Sequence, residues 1–127
     1  GTILRTLAWF GGFKCVLSPN SVDPYNPKVL RASMGAIFHV PIETDVALSK
    51  LQTRFAEFAC LDLNGAALSA PSFNRHSCFI FGNEARGVPR EQLASLSVES
   101  FSISGSGALE SLNLATAVNM CAYELNR

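Results

Sequence analysis

With 127 residues, of which 48% are apolar and 16% charged, the chain has the size and composition of one folded domain with a modest core, which excludes a disordered segment. Ten basic residues balance ten acidic ones, so broad polycation binding to nucleic acid is excluded; RNA binding would need a local patch, a dimer that concentrates charge, or a further segment. No apolar run is long enough to span a bilayer, no signal-peptide pattern is present, and four scattered cysteines with two histidines offer no metal-ligand spacing.

Taken in chain order, apolar periodicity switches repeatedly between helical and strand spacing. Gly1 to Phe10 predicts a helix with Ile3, Leu4, Leu7, Ala8 and Phe10 on one face, stopped by Gly11 and Gly12. Phe13 to Leu17 predicts a short strand, followed by a turn-rich loop from Ser18 to Pro27. Asn26 is placed to cap a helix that starts at Pro27 and runs to about Met34. Ala36 to Pro41 predicts a strand, and Thr44 or Asp45 is expected to cap a helix reaching Phe58, with Val46, Leu48, Leu51 and Phe55 inward. Ala59 to Leu63 predicts a strand ending in an Asn64-Gly65 turn. Cys78 to Phe81 and Val98 to Ile103 predict two further strands. Ser111 to Asn126 predicts the last helix, with Leu114, Val118, Cys121 and Leu125 stacked on one face.

This alternation implies an α/β domain with a mainly parallel sheet and helices on both faces, spanning residues 1–127 without repeat or linker. Cys15, Cys60, Cys78 and Cys121 all lie in apolar runs and read as buried free thiols of a reducing cytoplasm. His39 and His76 stand alone in the sequence and are expected to be structural or superficial.

Parallel sheets of this kind bind ligands beyond the carboxyl ends of their strands. Two glycine-rich loops sit at such ends. The first, FGNEARGVP from Phe81 to Pro89, holds Gly82 and Gly87, which let the backbone approach a ligand closely. Asn83 and Glu84 add hydrogen-bonding groups there, and Arg86 adds a cation. Read alone, the same segment also suits an ordinary strand-to-helix loop with Pro89 opening the next helix. The second loop carries Gly105 and Gly107 before the last helix, where Ser111 is a natural N-cap and where Ser111 and Asn113 alternatively face a ligand. A phosphate-binding role is disfavoured, since the P-loop lysine and the dinucleotide-binding glycine fingerprint are both absent.

FGNEARGVP resembles the second motif, and ISGSGALESLNLATAVNMCAYEL the third motif, of the SpoU/TrmH-like RNA methyltransferases of the SPOUT group. GTILRTLAWFG resembles the tail of their first motif, with Arg5 as the motif arginine. DPYNPKVLRASMGAIFHVPI matches too, through Pro27, Arg31, Ser33, Gly35 and Pro41, so the resemblance covers essentially the whole chain. Its most specific part is Glu110-Ser111-Leu112-Asn113.

The resemblance implies methyl transfer from S-adenosylmethionine to a ribose 2′-hydroxyl of tRNA or rRNA, in a cytoplasmic homodimer whose site draws on both subunits. It implies a deep C-terminal trefoil knot, which periodicity does not predict. The cofactor would be held largely by backbone near Leu61, Gly82, Ile103 and Leu112, with Asn83, Gly87 and Asn113 contributing. Arg5 would clamp phosphate and orient the hydroxyl, because a guanidinium is not deprotonated in proteins and cannot serve as the base. Ser111 and Asn113 would position ribose and cofactor, and Glu84 would fix an arginine by a bidentate pair, with Arg5 of the partner subunit as the candidate. Arg86 would be an RNA contact or a surface residue.

In one respect the chain departs from the pattern. It begins inside the first motif, so the motif asparagine and the first strand of the domain are not represented. An unpaired sheet edge or open groove, reduced stability and doubtful catalysis by these 127 residues alone are the expected consequences. Competing readings are a catalytically silent RNA-binding relative, against which Arg5, Glu84, Ser111 and Asn113 argue, and an unrelated nucleotide-binding α/β domain.

Overall fold

The structure is a computed structural model and describes residues 1–19, 21–82, 87–106 and 112–127. Helix α1 spans Thr2–Phe10, strand β1 Cys15–Val16, helix α2 Pro27–Ser33, strand β2 Ile42–Glu43 and helix α3 Leu48–Leu51. Strand β3 follows at Phe58–Ala67, β4 at Phe79–Ile80, helix α4 at Arg90–Leu93, β5 at Val98–Ser102 and helix α5 at Leu114–Asn126. Short 3₁₀ turns at Ala36–Phe38 and Phe73–Arg75 complete the set. Every ladder among the described residues is parallel: β1 with β2 in one sheet, and β4-β3-β5 in another.

Side chains alternate across β3, and that alternation builds two cores. Phe58 and Cys60 point to one face, where they meet Val46, Leu51 and Ile80, with Leu48 of α3 and Leu93 of α4 packed against them. Ala59 points to the other face and meets Phe73, Phe101 and Cys121, joined by Leu61, Phe79 and Leu125. The expected helical cover on both faces of a parallel sheet is therefore present. Phe73 anchors the second face, its ring centroid 5.0 Å from Phe101 and 5.1 Å from Phe79; such aromatic pairs add about 0.5–1.5 kcal/mol beyond burial of area. A third core, of Leu4, Ala36, Ile37 and Val40, seats α1 and the first 3₁₀ turn against Cys15 and Ile42. Val16 faces the opposite way, into the core of Phe58 and Ile80, so the two sheets share one apolar layer.

The caps follow local chemistry. Asn26 accepts the Lys28 amide at 2.8 Å, and Pro27 behind it has no amide to satisfy. Replacing Asn26 by alanine is expected to lower stability by about 1 kcal/mol; denaturant titration checks it. Glu43 ties β2 to its surroundings, with Lys14 at 2.5 Å and Arg54 at 2.7 and 3.1 Å. Hydrogen bonds from Arg54 and then Lys14 hold its carboxyl down to about 2.

Several expectations are corrected. The predicted strand at Ala36 to Pro41 is a 3₁₀ turn, because Met34 (φ 51°) and Gly35 (φ 84°) turn the chain left-handed, and the strand forms later, at Ile42–Glu43. The helix expected from Thr44 or Asp45 to Phe58 shrinks to Leu48–Leu51, since Asp45 is itself left-handed at φ 57°. Its inward face survives, with Val46, Leu48, Leu51 and Phe55 all in one core. Asn64-Gly65 is not a turn. β3 continues through it to Ala67, and both Leu61 and Ala66 are in register with Phe101, so residues 62–65 are an insertion absorbed within the strand. Gly65 is needed there because a Cβ would meet the Ser100 backbone. The last helix starts at Leu114 rather than Ser111, and its cap is Asn113.

His76 is not unpartnered. Its Nε2 lies 2.9 Å from Glu99 Oε1, and Ser72 Oγ donates to Glu99 Oε2 at 2.8 Å. These contacts, His76 first, hold the Glu99 carboxyl below its ordinary value. Serine and histidine share one carboxylate here, so the histidine does not activate the serine, and the group is not a nucleophilic triad. All four cysteines are free, and burial pushes the thiols upward, Cys60 to about 11 and Cys121 to about 12.

Candidate active site at the strand ends

The chain leaves β3 in two senses. The connection to β4 passes over the Phe73 face, carrying Leu68 and Ala70, while the connection from β4 to β5 passes over the opposite face through Leu93 and Leu96. Where successive connections part to opposite faces, their loops separate and leave a crevice at the carboxyl ends of the strands.

Three of the predicted backbone positions stand at that edge. Cys60 is in register with Ile80 and Leu61 with Phe101. Gly82 and Ile103 therefore lie within two residues of the ends of β4 and β5, and Leu61 lies on β3 between those strands, just before its register break, all half-buried. Gly82 also touches Gly87: a Cβ on Gly82 would lie 2.5 Å from Val88 N and 2.7 Å from Gly87 O. Gly87 adopts φ 71°, and the space where its own Cβ would stand is open. Both glycines are thus accounted for, one by close backbone approach and the other by a left-handed dihedral. Asn83, Glu84, Arg86 and Ser111 lie outside the described residues.

Arg5 and Asn113 come from α1 and α5. Asn113 Oδ1 accepts the Ala115 amide at 2.9 Å and the Thr116 amide at 3.3 Å, capping the helix. Its cleft, of about 480 Å³, is lined by Gly1, Thr2, Ile3 and Thr6 of the first chain segment and by Ala115, Thr116 and Asn119 of α5. Arg5 is exposed on the same stretch of α1 without lining the cleft, and among the described residues it forms no ion pair. Leu112, beside the cap, is 48% exposed. No group of three or more metal-ligating side chains occurs among the described residues.

One pair at this edge is absent from the sequence reading. Asp62, directly after Leu61, receives Arg90 through both guanidinium nitrogens, each at 2.9 Å. The Arg90 hydrogen bonds are the main reason its carboxyl is held below the ordinary range. The one available signal is a carboxylate interrupting the apolar run FACLDL.

A family model described as the SpoU rRNA methylase family matches residues 1–123. The chain belongs to the SpoU rRNA methylase family. This SpoU chain is 32% identical, over its whole length, to an uncharacterized tRNA/rRNA methyltransferase of Archaeoglobus fulgidus, of which it covers 58%. An AdoMet-bound rRNA methyltransferase from Sinorhizobium meliloti superposes with a TM-score of 0.81 at 26% identity, over 98% of this chain and 49% of that one. A structure concerned with 2-OH methylation of C/U34 on tRNA superposes with a TM-score of 0.81 at 30% identity, over 98% of this chain and 83% of that one. The SpoU chain thus spans about half the length of the curated relatives it matches. None of its described helices is long and apolar enough to cross a membrane.

Proposed function

We propose that this SpoU chain is the methyltransferase domain of an enzyme that methylates a ribose 2′-hydroxyl of tRNA or rRNA, with S-adenosylmethionine as the methyl donor. The observation that carries this reading is the convergence of Leu61, Gly82 and Ile103 at one sheet edge, in a chain matched to the SpoU family from residue 1 to 123. Support for the cofactor comes from the Sinorhizobium relative, which is AdoMet-bound, and support for the 2′-position from the relative concerned with 2-OH methylation. The site fits such a group on its own terms: open space beside Gly87 and the close backbone approach at Gly82 leave room near the edge for a ligand held by main-chain groups.

S-adenosylmethionine supplies a methyl group already activated on a sulfonium. The residues of the chain then have to bind, align and desolvate. Arg5, exposed and without an ion pair among the described residues, is assigned to a substrate phosphate and to orienting the hydroxyl. The hydroxyl proton leaves to phosphate or water, since arginine cannot take it. Asn113 and Ser111 are assigned to the ribose. The cap engages Asn113 Oδ1, and among the described residues its Nδ2 donor has no partner, which suits that role. Asn83 and Leu112 are assigned to the cofactor, Glu84 to holding an arginine of the partner subunit, and Arg86 to RNA.

The C-terminal segment is read as the threaded part of a trefoil knot, and the active unit as a homodimer in the cytoplasm.

Isothermal calorimetry with S-adenosylhomocysteine and with ATP tests the reading. The whole protein is expected to bind the first at micromolar or better affinity and not the second. Tight RNA binding with no S-adenosylhomocysteine binding would replace this reading with a catalytically silent RNA-binding relative. Methylation of an RNA at a base, with riboses untouched, would overturn the 2′-hydroxyl assignment.

A further inference from the structure

Residues 62–65 interrupt the register of β3 immediately after Leu61, at the sheet edge assigned to the cofactor. Leu61 is held by its pairing with Phe101, but the backbone that follows it has no ladder partner on β5 until Ala66. Asp62 secures the start of that stretch in two ways. Its Oδ1 accepts the amide of the next residue, Leu63, at 2.7 Å, which fixes the chain direction where the insertion begins. Both its oxygens take the Arg90 fork at 2.9 Å, across 28 positions of sequence. The Asp62 side chain is only 15% exposed although its partner is largely in solvent, so the carboxylate is the fixed end of the pair.

Arg90 opens α4, directly behind Pro89 and three residues after Gly87. The loop that begins at Gly82 therefore has its two described ends joined twice: by backbone contact between Gly82 and Gly87, and through Arg90 to the strand carrying Leu61. A bidentate arginine–carboxylate pair fixes direction as well as distance, which a single contact does not.

We propose that Asp62 and Arg90 are positioning residues that set Leu61 against the exit of the Gly82 loop, so that both present their backbone groups to the cofactor in one geometry. The proposal rests on the methyltransferase reading. Neither side chain touches the reacting atoms. They act through the backbone, pre-organising a site that would otherwise be ordered at the expense of binding energy.

The test uses the whole protein with Asp62→Asn, Arg90→Lys and the reversed pair Asp62→Arg/Arg90→Asp. Two readouts are taken: S-adenosylhomocysteine affinity by calorimetry, and exchange of the Leu93 and Ala94 amides, which bond to the Pro89 and Arg90 carbonyls. Asp62→Asn is expected to speed that exchange and to weaken binding about three- to tenfold, as loss of a charge-assisted pair implies. Arg90→Lys, which keeps the charge but loses the fork, should fall between it and the wild type. The reversed pair rebuilds the arginine–carboxylate fork but not the Leu63 hydrogen bond, so it should recover part of the affinity lost in Asp62→Asn. Faster exchange with unchanged affinity would make the pair purely structural and overturn the proposal. Lost affinity that the reversed pair does not restore, with exchange unaltered, would place Asp62 on the cofactor itself and overturn it as well. Absence of binding by the wild type would refute the methyltransferase reading and the clamp with it, whereas the variant outcomes refute the clamp alone.

Discussion

Replacing Asn113 by alanine in the whole protein is expected to lower methyl transfer at least about tenfold, equivalent to about 1.4 kcal/mol in the barrier, while costing about 1 kcal/mol of stability. The two effects have separate origins in one side chain. The stability loss comes from Oδ1, which satisfies the Ala115 and Thr116 amides at the start of α5. The activity loss comes from the amide donor left over, in a cleft shared with the first turn of α1. Asn26 calibrates the first part. It caps α2 with nearly the same backbone, φ −58° and ψ 137° against −58° and 138° for Asn113, so its alanine variant measures capping alone. Asn113→Asp then separates the two, since it keeps the cap acceptor and removes the donor; stability should return to within a few tenths of a kcal/mol while turnover stays low. Arg5→Ala should show the complementary pattern, a loss of at least about tenfold in turnover with little change in stability, because Arg5 is exposed. Turnover of Asn113→Ala or Arg5→Ala within twofold of the wild type would remove that residue from the mechanism.

Gly82→Ala is expected to weaken S-adenosylhomocysteine binding by roughly 5- to 150-fold, from an overpacking cost of about 1–3 kcal/mol. The added methyl would sit 2.5 Å from Val88 N and 2.7 Å from Gly87 O. Both are backbone atoms, which cannot rotate aside as a side chain would. The strand end and the loop exit must therefore part, at the edge assigned to the cofactor. Gly87→Ala acts by another route: its Cβ meets nothing within 4 Å, but φ 71° disfavours any L side chain by about 1–2 kcal/mol. The first variant should lose affinity more than stability, the second should lose both in parallel, and calorimetry beside thermal melts distinguishes them. Unchanged affinity in Gly82→Ala would refute the assignment of this strand end to the cofactor.

The amino-acid sequence by itself determined whatever depends on neighbours within a turn or two. The apolar stripe of α1, the Asn26-Pro27 start of α2, the stacked face of α5 and the apolar strands before each glycine loop are all local patterns, and all are present. From these follows the α/β class, because regular alternation of strands and helices favours a parallel sheet. The motif residues also carry the family, which residues 1–123 match.

Only the tertiary structure decided where local preference and packing disagree. Asn64-Gly65 has the composition of a hairpin turn, yet Phe101 pairs on both sides of it and keeps the strand going. Ser111 has the composition of a cap, yet the helix starts beyond Asn113. Met34 and Asp45 accept left-handed dihedrals that their side chains disfavour, and those two turns displace a predicted strand and shorten a predicted helix. The contacts that shape the candidate site, Gly82 against Gly87 and Asp62 with Arg90, join residues whose approach is set by sheet order rather than by spacing along the chain. A sequence shows which residues prefer a strand end or a cap; it does not show which strand ends become neighbours, because that choice belongs to the packing of both sheet faces together.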